Sequence, residues 1–214
     1  GDEADFTEIG RWSEGKPGWY EQTLAENRDL TVDILWRLGE YAKEQHMIRS
    51  NHTDRLFNVI MNKIPAFMSL PELKFEKFMK LDELGITYHK KPYEVAKRLI
   101  AVHGDEGSVK PTPGLTALES ARRAGISTIC GHTHRAGFSQ FSESSGGKIS
   151  RIIRGYEGGH LMETRLATYT KGQMNWQQAF IIVEEDAKGS QVSIINLEKD
   201  GTFVVHGRRY GRAR

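Results

Sequence analysis

The chain has 214 residues, 38% hydrophobic and 27% charged, enough for one globular domain with a sizeable core and too apolar for a disordered chain. With 30 Lys and Arg against 28 Asp and Glu the net charge is +2, so bulk electrostatics give no basis for nucleic-acid binding. The single cysteine, Cys130, excludes a disulfide within the chain and favours a reducing, cytoplasmic setting; no apolar run approaches the roughly 20 residues that span a bilayer, and no signal peptide is visible.

Residues 20–45, "YEQTLAENRDLTVDILWRLGEYAKEQ", read as a long helix, with Leu24, Leu30, Ile34, Leu35, Leu38 and Tyr41 at helical spacing. "HMIRS" (46–50) follows as a strand. Thr53 caps a second helix carrying Leu56, Val59, Ile60 and Ile64 on one face. Pro65 and Pro71 break the pattern, and "PELKFEKFMKLDELG" predicts a further helix ended by Gly85. "ITYHK" and "RLIAVHGD" are strands. "PGLTALESARRAG" (113–125) is a helix with Gly125 past its end, and "ISTIC" is a buried strand running directly into "GHTH".

Helix and strand alternate to about residue 134, which predicts a layered α/β core. The character then changes. "KISRIIRG", "TRLATYT", "QAFIIVEE", "SQVSIINLE" and "GTFVVHGRR" read as an antiparallel run, with "EKDG" as a hairpin signal before "TFVV". "SESSGGK" (142–148) reads as a flexible loop. Arg208, Arg209, Arg212 and Arg214 make residues 205–214 a basic tail, read as solvated.

Polar, metal-ligating residue types collect where strands end. Ser50-Asn51-His52-Thr53-Asp54 follows the first strand, His103-Gly104-Asp105 follows "LIAV", and Gly131-His132-Thr133-His134 follows "ISTIC". In an open α/β sheet, sites form at the carboxyl ends of strands, so residues distant in sequence converge there. Neutral imidazole suits Zn, Mn, Fe and similar ions. An isolated H-x-H is most often a surface or capping pair. The ordinary explanation weakens when the pair directly follows a buried strand and other His-bearing loops share its placement. His46, His89, His160 and His206 lack such partners and read as structural or exposed; His160 is the one to check against the pocket.

With these motifs the chain resembles the calcineurin-like metallophosphoesterases. Gly1-Asp2-Glu3-Ala4-Asp5 matches that family's G-D-x-x-D, Ser50-Asn51-His52-Thr53 its G-N-H-[DE], His103 its lone histidine after a strand, and Gly131-His132-Thr133-His134 its G-H-x-H. The matches run in order over most of the chain. The resemblance implies a single domain over 1–214, built as a sandwich of two mixed β-sheets flanked by helices, with 65–100 as a variable insertion near the site. It implies two divalent metals, Mn²⁺ first, with Fe, Zn or Ni as alternatives. Asp2 would bridge the ions, Asn51, His103 and His132 would complete one, and His134 would bind the other. His52 would be the catalytic non-ligand, and Asp5 would brace its loop.

Three departures accompany the resemblance. Ser50 stands for the usual Gly, and Thr53 stands for the usual acid, for which Asp54 is a substitute one residue late. The family's first motif, D-x-H, is absent, so Asp2 is expected to end a core strand and the chain to begin one strand late, as an N-terminally truncated form would. The expected activity is hydrolysis of a phosphomonoester or phosphodiester by metal-activated water. One alternative is a catalytically impaired scaffold of the same fold. A second is a DNA repair-type nuclease, which the near-neutral charge does not independently support. No membrane partner is expected.

Overall fold

A computed structural model describes residues 1–10, 14–15, 19–20, 22–164 and 174–211. The expected strand "TRLATYT" falls outside them from residue 165 onward, as do Arg212 and Arg214 of the basic tail. The protein is mixed α/β and folds as two compact units, Gly1–Lys91 and Pro92–Arg214. Among the described residues no helix is long and apolar enough to cross a membrane.

In the first unit, α1 spans Leu24–Gly39 and starts at a capping box. The Thr23 hydroxyl accepts from the Glu26 backbone N–H at 3.2 Å, and the Glu26 carboxylate accepts from the Thr23 N–H at 2.7 Å. The helix is shorter than its apolar pattern predicts. Gly39 is a weak helix former, and the chain beyond it turns into strand β1, Gln45–Ile48. The buried stripe also differs. Asn27, Thr31 and Leu35 are buried, whereas Leu30, Ile34 and Leu38 are 55%, 47% and 59% exposed. The polar pair tolerates burial because Asn27 Nδ2 donates to Glu8 Oε1 (3.1 Å) and Thr31 Oγ1 donates to the Asn27 carbonyl (2.9 Å).

β1 pairs in parallel with β2, Ile86–His89, so that Met47 faces Tyr88 in register. Helix α2, Thr53–Lys63, buries Leu56 and Ile60 as expected, but Ile64 lies 44% exposed beyond its end. The predicted helix over 71–85 breaks up. Two 3-10 turns cover Pro65–Ser69 and Pro71–Leu73, and only Phe75–Phe78 is α-helical, as α3. Met79 and Leu81 are both fully buried. A spacing of two suits no single helix face, and Lys80 between them takes a left-handed φ of 54°. These residues join Phe6, Leu35, Met47 and Ile86 in one core cluster.

The second unit is built on a mixed sheet ordered β3-β4-β5-β7-β6. The strands are β3 (Tyr93–Ala96), β4 (Leu99–Val102), β5 (Ser127–Cys130), β6 (Ala136–Ser145) and β7 (Lys148–Gly158). β4, β5 and β7 run parallel, so the expected wholly antiparallel second half is corrected: β7 returns to the parallel core before the chain turns to hairpins. Helix α4, Leu115–Ala124, packs on β7. Gly155 makes this possible, since a Cβ there would stand 2.0 Å from the Leu118 nitrogen. The expected loop at 142–148 is instead the end of the β6–β7 hairpin. Gly146 and Gly147 take φ of 56° and 75°, the two left-handed positions that a two-residue turn needs. β8 (Ala179–Glu185) pairs antiparallel with β9 (Ser190–Asn196), and β10 (Phe203–Val205) with β11 (Arg208–Tyr210).

Candidate functional site

The first unit gathers Asp2, Asp5, Asn51, His52 and Arg55. The loop that carries them is fixed by the start of α2. The Ser50 hydroxyl accepts from the Thr53 N–H (3.1 Å) and the Asp2 N–H (3.1 Å), while the Thr53 hydroxyl accepts from the Ser50 N–H (2.8 Å). The two departures from the family motif therefore act together. Ser50 and Thr53 exchange hydrogen bonds and tie the Asp2 backbone to the helix start. Asp2 lies in irregular backbone with φ 64°, not at the end of a strand as expected.

His52 is held by Asp5 and Arg55. Its Nδ1 lies 3.2 Å from Asp5 Oδ1 and 3.8 Å from Asp2 Oδ1, and its Nε2 lies 2.8 Å from Arg55 Nη2. A guanidinium only donates, so Nε2 accepts and the ring proton sits on Nδ1, facing the carboxylates. Asp54, the expected substitute acid, instead takes both Nε and Nη2 of Arg49 (2.9 and 2.6 Å). The nearer of the two acids beside His52 in this unit is Asp5. Burial pushes its carboxyl up, and the neighbouring His52 and Arg55 more than reverse this, so that it sits below its ordinary value. Asn51 borders a cavity of about 480 Å³ whose other lining includes Arg55, Asn58 and Asn62 on α2.

The second unit brings His103 and His132 together. Val102 and Cys130 end β4 and β5 in register, so the residues that follow are neighbours, and the Gly131 N–H donates to the His103 carbonyl at 3.0 Å. His132 Nδ1 then stands 3.1 Å from His103 Nε2, with the rings edge to face. The loop is kinked: His132 and His134 both take left-handed φ, 55° and 59°. For side chains with a Cβ this conformation costs of order 1–3 kcal/mol each, and it persists only where the surroundings enforce it.

Glu157 is part of what enforces it. Its carboxylate is completely buried and accepts from the Thr116 N–H (2.9 Å), at the start of α4, and from the Thr133 hydroxyl (2.8 Å), between the two histidines. His134 packs edge-on against Trp176 (4.5 Å between centroids) and against His160 (5.8 Å). His160, the residue singled out for checking, thus neighbours a candidate ligand, and burial lowers its pKa and favours the neutral imidazole. Sequence reasoning missed Glu157, Trp176 and Arg55. Arg55 alone carried a signal, sitting one helical turn after His52. Of the other histidines, His46 and His89 pair with each other at 3.0 Å, and His206 lies 3.6 Å from Glu184.

These features define a mixed α/β protein with histidines grouped at the carboxyl ends of adjacent parallel strands. No family model matches the chain, and no solved structure matches it. The Gene 54 protein of Mycobacterium phage D29 is 30% identical over 213 residues, covering 97% of this chain and 83% of the phage protein. The Gene 54 protein of Mycobacterium phage L5 is 28% identical over 214 residues, with the same shares of each chain covered. The chain belongs to the family of the mycobacteriophage Gene 54 proteins.

Proposed function

We propose that this protein is a metal-dependent phosphoesterase of the calcineurin-like kind, hydrolysing a phosphomonoester or phosphodiester. The reading includes that family's two-sheet sandwich and its two divalent ions, manganese first. The observation that carries it is the pair His103 and His132, two imidazole nitrogens 3.1 Å apart at the ends of parallel strands. The donor types suit a borderline divalent ion: imidazole nitrogens from His103, His132 and His134, with oxygens from Asp2 and Asn51. When bound, the ions would supply hydroxide at neutral pH and neutralise charge developing at phosphorus.

The chain's own residues then have separable roles. His103, His132 and His134 are ligands, held by the strand register and by the Glu157–Thr133 bond. Asp2 contributes negative charge and Asn51 a neutral oxygen. Arg55 offers a guanidinium fork for phosphate oxygens. His52 carries its proton on Nδ1 while Arg55 occupies Nε2. An incoming phosphate competes for Arg55 and frees Nε2, which takes up a proton from solvent and can then give it to a leaving oxygen.

The test measures manganese binding and turnover of p-nitrophenyl phosphate and bis-p-nitrophenyl phosphate by the purified chain. His132→Ala is expected to abolish metal-dependent turnover; unchanged turnover sinks the assignment. His52→Ala is expected to slow turnover while leaving bound metal near the wild-type amount. Loss of metal in that variant would make His52 a ligand.

A further inference from the structure

The second unit holds a cavity of about 380 Å³ that the proposed chemistry does not use. Its lining includes Lys97 and Arg98 from the β3–β4 turn, Leu99 and Ser127 at the first positions of β4 and β5, and Arg151, Arg154 and Tyr156 from β7. It lies at the amino ends of the parallel strands, whereas His103 and His132 follow their carboxyl ends. Four residues of strand, about 13 Å, separate the two places.

The charge of the lining is one-sided. Four lining residues are basic and none is acidic. Arg151 is already satisfied, donating from Nη2 to Glu143 Oε1 (2.9 Å), from Nε to Glu143 Oε2, and from Nη1 to the Gly125 carbonyl (2.8 Å). The charged groups of Lys97, Arg98 and Arg154 form no ion pair with any described residue. The nearby Glu185 carboxylate accepts from the Lys97 backbone N–H (2.8 Å). Arg98 is held in left-handed backbone, φ 62°, in the two-residue turn between β3 and β4. Three cations with no ion pair among the described residues repel each other around one concavity, although the Glu94 and Glu185 carboxylates sit on the Arg98 and Lys97 backbone N–H groups. An anion relieves that repulsion.

We propose that this cavity is a second ligand site, for a small phosphate-bearing molecule of nucleotide size. The volume lies in the range of small-molecule sites. Arg154 and Arg98 would grip the phosphates as planar forks, with Lys97 as a point charge. The half-buried Ile126, Val192 and Tyr156 of the lining would take the less polar part of the ligand. The site needs no metal, so it stands or falls independently of the phosphoesterase reading.

The test is calorimetric titration of the full chain with ADP in EDTA at low salt, with adenosine as the uncharged arm. Saturable ADP binding that weakens with salt is expected, with adenosine at least about tenfold weaker. Arg154→Gln and Arg98→Gln should each weaken ADP binding by about tenfold while thermal melting stays at the wild-type temperature. Arg122→Gln, whose guanidinium sits over the Phe141 ring at 4.4 Å, should bind as wild type. His132→Ala should also bind as wild type, which separates this site from the proposed metal ligands. Absence of saturable binding would overturn the proposal. So would equal binding by adenosine, or wild-type affinity in folded Arg154→Gln and Arg98→Gln.

Discussion

The two units hold their histidines by different means. In the first, His52 sits between charges, with Asp5 on one ring nitrogen and Arg55 on the other. In the second, His132 and His134 sit in kinked backbone, braced through Thr133 by a buried carboxylate, and the rings of Trp176 and His160 pack on His134. A ring between opposite charges has its proton fixed at a chosen nitrogen, which is what proton transfer needs. A ring set by strained backbone has its direction fixed, which is what ligation needs. The same residue type is held in two different ways by what surrounds it.

If backbone bracing presents the second-unit histidines, its removal should have the largest effect. Glu157→Ala would strip the Thr116 N–H and the Thr133 hydroxyl of a buried acceptor. A buried donor left unsatisfied costs about 1–3 kcal/mol, so a loss of at least about 2 kcal/mol is expected in denaturant unfolding. Loosening of the His132–His134 loop should accompany it, visible as lost protection in hydrogen exchange. Retained stability would mean the brace is dispensable. Gly155→Ala comes next. The added methyl would meet the Ala117 carbonyl carbon at 2.3 Å and the Leu118 nitrogen at 2.0 Å, so α4 must move off β7. The expected cost is about 1–3 kcal/mol, read from the midpoint of denaturation.

The same contrast governs what could be read from sequence. The three loops after strands were legible because period and composition mark strand ends, and parallel register then makes His103 and His132 neighbours. Glu157 was not legible, since in "GYEGG" nothing distinguishes a buried acceptor from a solvated acid. Its burial depends on the N-terminus of α4 arriving from 41 positions earlier. The partner of His52 was misread for a related reason. Asp54 is close in sequence but is claimed by Arg49, and Asp5, 47 positions upstream, reaches the ring. The α1 stripe failed because period alone cannot say that Asn27 and Thr31 have partners and Leu30 does not. The loop at 142–148 failed because two consecutive glycines serve a tight hairpin as readily as a flexible linker.

In the first unit, if charges set the ring, removing one should move the proton rather than the fold. Arg55→Leu should lower the Nδ1–H fraction of His52 in nitrogen-resolved NMR without reversing it, because the donor that occupies Nε2 is gone while Asp5 still faces Nδ1. An unchanged fraction would mean that Arg55 does not set it.

The smallest effect is that of Asp5 on stability against pH. Its folded value is depressed, so below the unfolded value of about 3.9 the unfolded state binds the proton more readily than the folded one. The contribution is therefore present at pH 5 and is lost as pH falls through the folded value. The Asp5 side chain is 54% exposed, so solvent screens it, and the contribution should stay under about 1 kcal/mol. Thermal melts of wild type and Asp5→Asn should differ at pH 5 and converge toward pH 2, with a smaller difference in high salt. A gap that widens on acidification would mean that His52 and Arg55 do not favour the Asp5 carboxylate. The charged half of the contrast between the two units would then fail.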